Sequence, residues 1–118
     1  MIVVRIVAIT VCSLALHLTL GWAWTLGAGL VGGLWVGRNG WFLGAAGTAL
    51  GWAALVGYTA AVASGPFRML VDTIGDLAGP VPGLILLPAT VLLGALLGGI
   101  GGGIGGQLRP LIWERGQP

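Results

Sequence analysis

With 118 residues, 57% of them hydrophobic and only 7% charged, and with a mean hydropathy of +1.03, the chain lacks the solvating groups of a water-soluble domain, in which about 25% of side chains are charged. A cytosolic enzyme and a disordered tail are excluded on that count. A nucleic-acid module is excluded too, because the net charge is only +2 and phosphate binding calls for many cations on one face.

Lipid is therefore the expected solvent, and residues 1–118 are expected to form a single transmembrane helical domain. The charges are Arg5, Arg38, Arg68, Asp72, Asp76, Arg109, Glu114 and Arg115, with no lysine. They leave charge-free stretches at 6–37, 39–67 and 77–108, each longer than the ~20 residues that cross a hydrocarbon core. As one helix the first stretch would be about 48 Å long against a core of about 30 Å, so it is expected to fold back. Gly21, followed by Trp22 and Trp24, marks the turn, because glycine loosens the backbone and tryptophan suits the headgroup boundary.

The first helix is expected at about 3–20. Arg5 ahead of an apolar run resembles a signal peptide, but no small-x-small cleavage site follows, and Val11 before Cys12 spoils a lipobox, so a retained helix is expected. A second helix follows at about 24–38 and a third at about 41–63, closed by Ser64, Gly65 and Pro66. Residues 66–78 are amphipathic. Arg68, Asp72 and Asp76 recur every four residues while Phe67, Leu70, Val71, Ile74 and Leu77 take the opposite face, which predicts a helix lying flat at the interface. The last helix is expected at about 83–108, after Pro80 and Pro82, with a bend at Pro88. The fold class predicted is an all-α membrane protein with four transmembrane helices and a short interfacial helix between the third and fourth.

Four crossings put Arg5, Arg38, Arg109 and Arg115 on one side and Arg68 alone on the other. Cytoplasmic loops carry the excess of arginine, so a plasma or inner membrane location with both termini cytoplasmic is expected. Fusing 6–37 into one crossing gives a weaker three-to-two split.

Glycine supplies 24 residues, about three times its usual share of roughly 7%. Gly94, Gly98, Gly102 and Gly106 recur at intervals of four along the last helix, with Gly99 and Gly103 as a second row. Gly29, Gly33 and Gly37 repeat the spacing in the second helix, and Gly44, Gly47 and Gly51 offer small faces in the third, with Gly40 just before it. Such stripes let backbones approach closely in lipid, where the hydrophobic effect does not join helices. The segments 26–33 and 93–99 also look alike, as a parallel duplication would make them. Seven of the nine residues 98–106 are glycine; an unbroken helix packed closely on its neighbours is the simpler reading, and unwound backbone that binds an ion or solute is the alternative.

Chemical groups are sparse. No charge lies deep in any expected helix, which argues against proton-coupled transport. Cys12 is alone, so no disulfide or thiolate metal site is expected. Two GxGxxG strings, at 27–32 and 101–106, follow no strand and are not dinucleotide sites. No nucleophile–base pair or carboxylate pair suggests an enzyme, and no cofactor is implied. His17 is the strongest titratable candidate near the bilayer, and it could meet Asp72 or Asp76 as a polar site; the simpler reading is an interfacial histidine. Trp52, in mid-helix, is expected to pack on a glycine groove or to face a bound lipid or pigment.

Two functions follow. The first is a non-enzymatic membrane protein whose task is glycine-mediated helix association, as a homo-oligomer or as an accessory subunit of a larger membrane complex, with lipid and another membrane protein as partners. The second is a small channel or facilitator whose path is lined by glycine carbonyls, Thr48, Thr59 and Thr90, with His17 as a further candidate.

Overall fold

The computed structural model describes residues 1–113 and 115. It is all-α in those residues: α1 (Ile2–Leu20), a 3-10 turn (Trp22–Trp24), α2 (Thr25–Val36), α3 (Gly40–Val62), α4 (Ser64–Leu77) and α5 (Gly83–Trp113). Two glycines set the first reversals. Gly21 ends α1 at φ 103° and Gly37 ends α2 at φ 82°, both in the left-handed region that side chains with a Cβ avoid. Residues 6–37 are thus two helices, and α2 returns antiparallel to α1, with Gly32 on Ile9 and Trp35 beside Arg5.

α1, α3 and α5 are long and apolar enough to cross a membrane, which makes the chain a small multi-pass helical membrane protein. α2 is different. Its 12 residues give about 18 Å of helix, short of the ~30 Å core. Of the four apolar helices expected, three are long candidate spans and one is a shorter apolar helix held against them. The boundary at its C-terminal end falls two residues early because Gly37 stops α2 before Arg38.

α4 has the expected amphipathic pattern and packs beside the start of α5, where Gly75 lies against the Val81 carbonyl and Gly83 against Val71. Pro66 sits in its first turn, where a missing N–H costs nothing, so the break between α3 and α4 comes at Ala63. α5 is longer than expected, reaching Trp113, and it stays helical through residues 98–106 and through Pro88. The unwound segment entertained above is therefore absent; glycines flanked by close-packed helices on both sides keep their helical bonds.

The interior contains few large side chains. Among the described residues the buried hydrophobic ones are Ile9, Ala28, Leu43 and Trp52, while most of the leucine, isoleucine and valine faces outward, as lipid permits.

Candidate functional site

The C-terminal half of α5 is bound on two sides by backbone. α2 runs parallel to it, pairing Gly29 with Gly98, Gly33 with Gly102 and Gly37 with Gly106, one turn apart each time. α3 runs antiparallel on the next face, pairing Gly44 with Gly98 and Gly40 with Gly102. A methyl group added at Gly33 would lie 2.9 Å from the Gly102 Cα, and one at Gly40 would lie 2.6 Å from the Gly33 Cα. Three helices meet there with no side chain between them. α1 joins through Gly47, which receives Ile9, and Gly51, which faces Ser13.

A second row on α5 also faces α2: Gly101 against Leu26 and Leu30, and Gly105 against Leu30 and Leu34. The row singled out from sequence, Gly99 and Gly103, is looser, with its nearest neighbours Ala45 Cβ at 3.4 Å and Trp41 Cβ at 3.6 Å. The same four-residue spacing marks both rows, and only the rotation of α5 separates them.

Hydroxyl groups tie the helices where glycine leaves carbonyls within reach. Thr48 Oγ1 lies 2.8 Å from both the Gly44 and Gly94 carbonyl oxygens, so its proton can bridge α3 to α5. Thr10 Oγ1 is likewise 2.9 Å from Ile6 O and Gly47 O, linking α1 to α3. Threonine usually donates to its own helix in this way, and in lipid a second carbonyl is a favourable alternative.

Higher along α5 the contacts change character. Trp52 lies flat on Gly94, where an added methyl would come within 2.6 Å of its Cγ, and its Nε1–H donates to Thr25 Oγ1 at 3.1 Å. Thr25 is fully buried and Trp52 only 7% exposed, so this bond satisfies an indole that would otherwise be desolvated without an acceptor. His17 meets the Trp52 ring edge-on, with centroids 5.2 Å apart and planes at 80°. Among the described residues its buried Nδ1 has no hydrogen-bond partner, and neither has Ser13 Oγ one turn earlier on α1.

Beside this pair the helices diverge and leave a cleft of about 470 Å³. Its walls are Trp52, Leu55, Val56 and Thr59 of α3, Thr90 and Leu93 of α5, Phe67 and Leu70 of α4, and His17 and Trp22. Thr59 and Thr90 donate to Leu55 O and Leu86 O in their own helices, so imidazole is the distinctive polar group of an otherwise apolar wall.

The polar site imagined from sequence is divided by this geometry. α4 turns its apolar face, Phe67 and Leu70, toward His17, while Asp72 lines a different cavity with Arg68, Ala60, Leu84 and Leu87. Asp76 lies one turn beyond Asp72 on exposed α4 surface. Among the described residues no three His, Cys, Asp or Glu side chains gather as a metal site. His17 and Trp52 each stand out in the sequence and are brought together by the fold; Thr25 carries no such signal, because its role comes from a partner 27 residues away on another helix.

Compared with protein-family models, with curated proteins and with solved structures, the chain matches none.

Proposed function

We propose that this is a non-enzymatic membrane protein that holds a small apolar or amphipathic molecule, such as a lipid chain with one hydrogen-bonding head, in the cleft beside His17 and Trp52. The cleft carries this reading. A volume of about 470 Å³ and apolar walls with a polar group among them are what small-molecule sites have in common, and the imidazole can supply a donor or acceptor there. A facilitator role rests on the same cleft rather than on α5, whose glycines support close packing instead of a path.

The test is photolabelling in nanodiscs with a long-chain alcohol bearing a diazirine. Saturable labelling of residues 55–59 and 90–93, lowered severalfold by Thr90→Trp, is the expected result. Non-saturable labelling equal to that of the exposed Leu50 and Val62 would reject a site.

A second reading, association into a homo-oligomer or with a larger complex, is favoured by a different observation. The glycines singled out for packing face partners inside the chain, whereas Ala53, Gly57 and Ala61 form an exposed small-residue face on α3, with nothing within 4 Å of a methyl group placed at Gly57. In the same nanodiscs, Gly57→Leu should lower chain-to-chain crosslinking while leaving cleft labelling intact. Unchanged crosslinking would remove this reading.

A further inference from the structure

The geometry points to a binding site for the phosphate of an anionic phospholipid at the opposite end of the bundle, between the N-terminal turns of α1 and the junction of α2 with α3. A cavity of about 300 Å³ is lined there by Ile2 and Arg5 of α1, Val36 at the end of α2, Arg38 and Asn39 of the connecting turn, and Phe42 and Leu43 of α3. Two guanidinium groups and an amide face a wall of aliphatic and aromatic carbon. That combination suits a phosphodiester with an acyl chain attached, and suits neither a free hydrocarbon nor a fully hydrated anion.

Several observations converge on negative charge as the missing partner. Among the described residues neither Arg5 nor Arg38 donates a side-chain hydrogen bond. Arg5 is instead half-buried and held 5.9 Å from the Trp35 ring, which fixes its charge at the cavity edge. A third guanidinium, that of Arg109, lies across Gly37, with Nη1 2.8 Å from where a Cβ would stand. Asp72 and Asp76 are on α4, at the far end of the bundle, and the stretch following α5 carries one carboxylate in its sequence, Glu114.

Backbone adds to the field. The N–H of Gly40 bonds to Gly37 O and that of Leu43 to Asn39 O, while no backbone acceptor among the described residues faces the N–H of Trp41 or Phe42. The 23-residue α3 therefore opens toward this cavity with its positive end incompletely satisfied. Arginine supplies planar, bidentate donors for phosphate oxygens, and basic pockets between membrane helices are suited to anionic headgroups.

The experiment is thermal unfolding of the full chain in a neutral maltoside detergent, titrated separately with short-chain phosphatidylglycerol, the matching phosphatidylcholine, and sodium phosphate. Phosphatidylglycerol should raise the Tm saturably, and the other two should not. Arg38→Gln, at an exposed position, and Arg5→Gln should each weaken the apparent affinity about fivefold, the factor for about 1 kcal/mol per arginine at a membrane surface. Arg68→Gln, at the other end, should leave it unchanged. An equal rise with phosphatidylcholine would overturn the proposal, as would an equal saturable rise with inorganic phosphate, which would assign the site to a free anion. Full affinity in folded Arg38→Gln would also overturn it.

Discussion

The two halves of α5 solve the same packing problem in opposite ways. From Gly94 to Gly106 it is bare, and α2 and α3 settle directly on its backbone; from Leu84 to Leu93 it carries bulky side chains, and its neighbours stand off far enough to leave the cleft. In water both halves would be drawn inward by their hydrophobicity. In lipid only the first gains close contact, so the distribution of glycine decides where the bundle closes and where it stays open. Trp52 sits at the boundary, its ring filling the step where Gly94 ends the bare face.

That contrast can be broken most forcefully at its narrowest point. Gly102→Ala puts a methyl group against the Gly40 carbonyl, where backbone and not a movable side chain is the obstacle, and a loss of about 3 kcal/mol or more is expected in a reversible unfolding titration in mixed micelles. A loss below about 1 kcal/mol would mean that the three backbones are not in contact.

At the boundary the expected effect is smaller. Thr25→Val removes the acceptor of the buried Trp52 Nε1–H, and about 1–2 kcal/mol should be lost in the same titration. The loss should vanish in a Trp52→Phe background, where no N–H is left unpaired; persistence of the loss there would show that Thr25 acts through packing alone.

Smallest, and opposite in sign, is Gly103→Ala. Its methyl would meet nothing closer than Trp41 Cβ at 3.6 Å, so helix propensity alone should act and stabilise by up to about 1 kcal/mol. Adjacent glycines on one helix would then differ in sign because only one faces a backbone.

Much of this division was legible in the sequence. The charge-free stretches located the long helices to within about five residues, because few charges interrupt a segment that lies in lipid, although α1 begins before Arg5 and α5 continues past Arg109. Charges every four residues exposed α4, because that interval places them on one face of a helix. The four-residue glycine spacing marked both contact faces of α2 and α5, since one helical turn fixes which residues stack. What could not be read was rotation: nothing in the spacing tells Gly101 and Gly105 from Gly99 and Gly103, and only the direction in which α2 approaches selects the first pair. The cleft was hidden for a related reason. His17, Trp52 and Thr90 belong to three helices, and their meeting depends on how far those helices diverge, which is a property of the assembled bundle rather than of any segment.

The parallel pairing of α2 with α5 carries a further consequence for biosynthesis. Both α1 and α2 leave the ribosome before α3, α4 and α5, so the surface that α2 fits is made only after two further helices. The short α2 must therefore hold its glycine face without its partner until α5 has been synthesised.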